Sequence, residues 1–279
     1  GTLYVVATPI GNMADITLRA IEALKRVDLI AAEDTRHTGK LLSHYGISKP
    51  LTSYFEHNEK EKAEKLVDEL KSGKNIALVS DAGTPGISDP GYRLIKAAIT
   101  AGVHVTTVPG PSAIISAVSV SGLPVNEFTF KGFVPAKATG RRDFFIAMKS
   151  TDGAHTYVMY ESARRLKDTL ECVVEVLGDV DLSVAREMTK LYEDVLRGKA
   201  RAVLEQISNK ELKGEITLVI RAGGEVVKKD AGDIKEALVE GLRQGERLKD
   251  LSARLSAEYG IPKRELYEEA LRLKREVLE

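Results

Sequence analysis

The chain has 279 residues, 43% of them hydrophobic and 29% charged, which describes a folded protein of two domains, or two and a small extension, and excludes a disordered chain. Lysines and arginines number 41 and so do aspartates and glutamates. Zero net charge gives no overall pull toward a polyanion, so a nucleic-acid partner must be held by local patches.

Residues 2–8, TLYVVAT, form a continuous apolar run broken by Pro9 and Gly11, the pattern of a buried parallel strand. The opening stretch has no basic leader region, so no secretory signal is expected. Residues 17–27, TLRAIEALKRV, carry helical spacing. A strand (28–34), a helix ending at Gly46 and a short strand (51–55) follow. Residues 58–73 predict a helix with Asn58 as its cap and Gly73 at its end. NIALVS (75–80) is a strand, 91–102 a helix, HVTTVPG (104–110) a strand, and SAIISAVSVSG (112–122) an apolar helix rich in small residues. This β-α alternation predicts an open, largely parallel sheet covered by helices.

Beyond residue 118 the pattern changes. Strands are expected at 128–133, 156–162, 181–187 and 214–222, with longer helices between them. Cys172, the single cysteine, sits in a helical pattern as a core thiol; it permits no intrachain disulfide and fits a reducing, cytoplasmic setting. Residues 223–233 read as a charged, glycine-rich linker. Residues 233–279 hold only helical patterns, with a helix-turn-helix-like pair turning at Gly260. The expected division is 1–117, 118–225 and 230–279. No run of about 18 apolar residues suggests a membrane span.

Several stretches carry chemistry. SDAGTPGISDPG (80–91) stands at the carboxyl end of a strand, where open α/β sheets bind ligands. Its glycines let the backbone approach a ligand, its prolines stiffen it, and Asp81 and Asp89 make it acidic. It lacks the lysine of a nucleotide-phosphate loop and the spacing of a calcium loop. A cationic ligand with an adenosine-like body suits it best; Asp89 also reads as the cap of the helix that follows. ATPIGN (7–12) and VPGPSA (108–113) are two more proline-stiffened bends at the same edge, and ATPIGN is not the dinucleotide fingerprint. EDTR (33–36) reads either as a salt-bridged helix start or as a catalytic carboxylate. In the second half, Tyr160, Arg186, Glu187 and Lys190 end strands and are expected either at a cleft or on the surface. FKGFVPAKATGRR (130–142) is locally basic and carries Phe130 and Phe133, as a loop contacting RNA would. The five histidines are never paired as helical metal ligands are, and no metal is expected.

Taken in order, ATPIGN, AAEDTRHT, YFEHNE, SDAGTPGISDPG, VPGPSA, the F-GF-P-K---R pattern and VAREMTK resemble the 16S ribosomal RNA cytidine 2′-O-ribose methyltransferase family. That family lies within the tetrapyrrole methylase superfamily, the class III S-adenosylmethionine (SAM) enzymes. The resemblance spans essentially the whole chain. It implies a two-domain α/β fold with SAM in the interdomain cleft, a small all-helical C-terminal extension, and a homodimer acting on the small ribosomal subunit. It further implies that Pro9 lies against the cofactor, that Ala82, Gly83, Thr84 and Ile87 wrap it, and that Ser112, Ala113, Tyr160, Ala185 and Met188 complete the slot. Gly83-Thr84-Pro85 stands where tetrapyrrole enzymes carry Gly-Asp-Pro, so Asp81 is expected to supply the missing carboxylate. Asp34 and Glu187 are the candidate bases, with Arg36 and Lys190 to orient them or hold a phosphate. Lys137, Arg141 and Arg142 are the expected RNA backbone contacts. The alternatives are a porphyrinoid methylase and a non-catalytic ribosome-assembly factor.

Overall fold

The computed structural model describes all residues except 56, 150–152, 209, 211, 224–230, 260–262 and 278–279. The expected linker therefore lies mostly outside the described residues, and so does the turn at Gly260.

The first sheet is parallel throughout. It contains β1 (Thr2–Val6), β2 (Leu29–Ala32), β3 (Leu51–Ser53), β4 (Ile76–Val79) and β5 (His104–Val108), in the order β3-β2-β4-β1-β5. All four residues of β4 are buried, as an unbroken apolar run in an interior parallel strand must be. Helices α1 (Leu18–Arg26), α2 (Thr35–His44), α3 (Glu59–Lys71) and α4 (Tyr92–Thr100) connect these strands. Two separate apolar clusters result, one holding Leu24, Ile30, Leu41 and Val79, the other Leu66, Leu70, Leu78 and Leu94. Each fully buried side chain of this size contributes about 1.5–3 kcal/mol. Helix starts follow local chemistry: Thr17 accepts from the Ala20 amide at 3.1 Å and begins α1. Asn58 does not cap α3 as expected; its Oδ1 accepts instead from the Phe55 amide at 2.9 Å, which turns the chain before the helix.

Helix α5 (Ala113–Val120) leaves the first sheet but packs Ile114, Ala117 and Val118 against Val158, Ala185 and Val219 of the second. That sheet contains β6 (Phe128–Phe133), β7 (His155–Ser162), β8 (Asp181–Arg186), β9 (Asp194–Lys199) and β10 (Glu215–Ala222), in the order β6-β7-β10-β8-β9. Only β6 and β7 run parallel; the other pairs are antiparallel. Helices α6 (Ala138–Lys149), α7 (Leu166–Leu177) and α8 (Ala200–Ile207) cover its other face around Phe145, Met148, Leu170 and Val203. Three further helices, α9 (Ala231–Arg243), α10 (Leu248–Tyr259) and α11 (Lys263–Val277), enclose a small core of their own around Leu238, Leu255 and Leu273. Among the described residues no helix is long and apolar enough to cross a membrane.

Candidate active site

The turns after β1, β2, β4 and β5 all leave the same carboxyl edge of the first sheet, and they are tied together. Thr8 and Gly83 exchange two backbone hydrogen bonds, at 2.9 and 3.0 Å. The Thr8 hydroxyl adds a bond to the Ser80 carbonyl at 3.2 Å. Gly83 holds a φ of +77°, open to glycine at little strain. Its amide is taken up by Thr8, so it offers a ligand close approach and no donor. The Asp34 amide donates to Asp81 Oδ1 at 3.0 Å, which joins the turn after β2 to the loop after β4.

Where this edge meets the second sheet there is a cavity of about 340 Å³, within the range of small-molecule sites. From the first lobe it is lined by Ile10 and by Ala82, Gly83, Thr84, Ile87 and Asp89 of the long loop. The start of α5 adds Ser112, Ala113 and Ile114. From the second lobe come Phe133, Tyr160, Glu161, Arg165, Ala185, Met188 and residues 214–217. Nine of the eleven expected cofactor contacts thus meet at one cavity. Pro9 is replaced there by its neighbour Ile10, and Asp81 is absent because its carboxylate is bound to the Asp34 amide.

The carboxylate that does line the cavity on this side is Asp89. The helix cap expected of it is made differently: α4 starts at Gly91, and the Gly91 amide donates to Glu59 Oε1 at 2.8 Å. Burial pushes the Asp89 carboxyl up to about 6, with the Glu33 charge adding to it, a Ser80 hydrogen bond opposing it, and Asp81 adding again. Burial also raises Glu33, against a bond from the Asp81 amide.

The second lobe's charged residues are paired. Glu161 is buried and accepts from the Ser162 amide, from Thr169 Oγ1 and from Arg165 Nη2, each at 2.6 Å. Arg165 Nε also reaches Ser162 Oγ at 3.1 Å, so the guanidinium is held at two points along the cavity wall. Tyr160 packs edge-on to Phe130, with ring centroids 5.1 Å apart, and tilted against Phe133 at 5.2 Å. Phe133 is 60% exposed at the cavity mouth. Burial, then Asp89 and Glu215, push the Tyr160 phenol up to about 12, so it stays protonated at neutral pH.

The expected bases lie elsewhere. Asp34 caps α2: its Oδ1 accepts from the Arg36 amide at 2.8 Å, and its Oδ2 from Arg36 Nη2 at 2.8 Å. The Arg36 side chain holds the Asp34 carboxyl well below the carboxylate range, which makes it a weak proton acceptor. The salt-bridged helix start is what EDTR forms. Glu187 has a left-handed φ of +51° and accepts at Oε1 from Lys190 Nζ at 2.9 Å and from the Glu215 amide at 3.0 Å. Burial alone would raise its carboxyl, but these donors outweigh it and the net shift is downward. Lys190 also reaches Glu215 at 2.9 Å, and its neighbour Thr189 accepts from the Asn12 amide at 3.1 Å, so this turn bridges the two lobes.

The basic stretch also needs correction. Arg141 is 8% exposed, lies against the Cys172 thiol and is 3.9 Å from Asp168; it faces inward and presents no charge to a phosphate. Arg142 is exposed and ion-paired with Glu175, while Lys137 is exposed. Which face of α6 each residue takes depends on packing against α7, which composition does not encode. Ile10, Ile114, the Glu161–Arg165 pair, Ser162 and residues 214–217 line the cavity without a role read from sequence, while sequence reads Asp89 only as loop acidity or a helix cap and Phe133 as an aromatic for RNA. For the pair the available signal was its spacing: an acid at the end of a strand and an arginine four residues on, in the turn that follows.

Residues 2–204 match the family described as Tetrapyrrole (Corrin/Porphyrin) Methylases. The chain belongs to this family. It is 47% identical over 276 residues to the ribosomal RNA small subunit methyltransferase I of Escherichia coli O157:H7, covering 97% of this chain and 95% of that one. The namesake protein of Halalkalibacterium halodurans is 42% identical over 276 residues, covering 96% and 93%. Among solved structures, the methyltransferase CobJ superposes with a TM-score of 0.58 at 17% identity, over 83% of this chain and 97% of that one. A uroporphyrin-III-C-methyltransferase from Thermus thermophilus gives 0.55 at 19%, over 79% and 94%. These two show the fold.

The cavity suits SAM, the cofactor of this family. Ile10, Ala113, Ala185, Met188 and Tyr160 offer an apolar slot for an adenosine, and Asp89 stands on the cavity wall beside it. A Cβ at position 83 would meet Ile10 Cγ2 at 3.5 Å, an ordinary contact, so the left-handed φ and not a lack of space calls for glycine there.

Proposed function

We propose that the protein is a SAM-dependent methyltransferase that methylates the ribose 2′-hydroxyl of a cytidine in 16S ribosomal RNA of the small subunit. The observation that carries this reading is the 47% identity to the E. coli ribosomal RNA methyltransferase across nearly the whole of both chains. When bound, SAM supplies an electrophilic methyl group on a sulfonium sulfur. The chain's own residues bind, orient and exclude water. Ala82, Gly83, Thr84 and Ile87 close over the cofactor from one side, with Ser112 and Ala113 beneath it; Tyr160, Ala185 and Met188 hold it from the other. Phe133 at the mouth offers a flat apolar face to an unstacked base. Lys137 and Arg142 contact the RNA backbone, Arg142 by exchanging Glu175 for a phosphate. With zero net charge these local contacts make binding weaken as salt rises. The same proposal takes 1–117, 118–225 and 230–279 as the domains; separate cores for the two sheets and the terminal helices support three units, and α5, which spans the first boundary, packs on the second sheet. It also takes the protein to be cytoplasmic and homodimeric.

The test is methyl transfer from labelled SAM to small ribosomal subunits, with the label mapped by nuclease digestion and mass spectrometry. Label on a cytidine 2′-oxygen is expected. Label on a base, or on a porphyrinoid offered in parallel and not on RNA, overturns the reading.

A further inference from the structure

We propose that Asp89 accepts the proton of the ribose 2′-hydroxyl, an inference that rests on the methyl-transfer reading above. Three carboxylates line the cavity: Asp89, Glu161 and Glu215. Glu161 is held by three donors, Arg165 among them. Glu215 lies at the rim, its side chain 80% exposed, and is held by Lys190. Asp89 is the one whose described neighbours leave it an acceptor. It is not needed at the start of α4, because Glu59 binds the Gly91 amide there, and Arg93 in turn pairs with Glu59 at 3.4 Å. The backbone presents it at a strained position. Ser88, just before it, has a left-handed φ of +64° that a non-glycine residue rarely adopts, and such strain collects at functional sites.

The groups facing Asp89 favour a proton acceptor that works near neutrality. Burial raises its carboxyl to about 6, and Glu33 and Asp81 on its own side add to this. Across the cavity stand Tyr160, a protonated phenol, and Arg165, already bound to Glu161. A carboxylate of this kind is ionised at pH 7.5 and still basic enough to take a proton as charge develops. In the step, the 2′-oxygen bonds to the methyl carbon while the carbon–sulfur bond breaks and its electron pair stays on sulfur. The hydroxyl proton moves to Asp89 and leaves to solvent after turnover. The products are a methyl ether and a neutral thioether.

The experiment compares wild type, Asp89→Asn and Asp89→Glu for small-subunit methylation between pH 5 and 9, with SAM affinity by calorimetry and thermal melts at each pH. In wild type, kcat should rise through a midpoint near 6 to a plateau. Asp89→Asn should lower kcat about 10²–10³-fold and lose that rise, with SAM affinity within about threefold. Asp89→Glu should recover part of the rate and restore the rising limb. Asp89→Asn should melt above wild type at pH 7.5, the gap closing toward pH 4.5, since a raised carboxyl weakens the fold only where it is ionised. The inference is overturned if Asp89→Asn keeps its rate, if it loses SAM binding in proportion to rate (a cofactor contact), or if it unfolds (a structural support). Wild type that binds SAM yet leaves 2′-oxygens unmethylated overturns the methyl-transfer reading as well, which separates the two failures.

Discussion

On the first-lobe side Asp89 lines the cavity, with Glu33 and Asp81 close enough to act on its charge, and Arg36 of the same edge is bound to Asp34. On the second-lobe side, Glu161 meets Arg165 at the cavity, and Glu215 at its rim shares Lys190 with Glu187 outside it. On the second side each of these carboxylates is ion-paired, and the group serves as a scaffold. The first keeps an excess of negative charge, which suits a ligand carrying a sulfonium and an ammonium and would repel an anion. The difference lies in what each carboxylate meets, since both walls carry acids at strand ends.

The sharpest way to break this contrast is to make one change on both walls. Glu161→Gln removes a buried charge that Arg165 needs, so it should destabilise by about 3–5 kcal/mol in urea unfolding. A value near zero would mean that the pair is not the scaffold described. Gly83→Ala tests whether the first wall depends on its backbone. A φ of +77° should make it lose about 1–2 kcal/mol, with weaker SAM binding by calorimetry. Asp89→Asn, chemically the same change as Glu161→Gln, should act with the opposite sign. Its folded pKa lies above the unfolded value, so the ionised form opposes folding at pH 7.5 and stops doing so as pH falls below 6 toward 4. Discounted for its partial exposure, the gain is about 1 kcal/mol at pH 7.5. The smallest effect belongs to Arg36→Ala: its exposed pair with Asp34 should leave the melting temperature within about 1 °C at pH 7.5.

Much of the fold was legible because its signals are local. Unbroken apolar runs such as IALV mark interior parallel strands, and proline-stiffened bends mark the edge where ligands bind. Strand β9 was not legible: Asp194–Lys199 is a mostly exposed edge strand without an apolar run, and only its pairing with β8 defines it. The cofactor slot followed from resemblance; the electrostatics did not. Asp34, Asp81 and Asp89 are alike as letters, yet one is held by Arg36, one by a backbone amide, and one lines the cavity. Distinguishing them requires knowing that Glu59, from a different helix, reaches the Gly91 amide. Arg141 shows the same limit, since α6 turns it toward Cys172 rather than toward solvent.

The paired hydrogen bonds between Thr8 and Gly83 have a thermodynamic corollary. They stitch the floor of the slot into the hydrogen-bonded framework of the sheet, so its ordering belongs to folding and not to ligand capture. Cofactor association should therefore show a modest entropic penalty and a heat-capacity change set by buried apolar area alone. Cutting that stitch with a proline at position 8 would shift the disorder into the binding event.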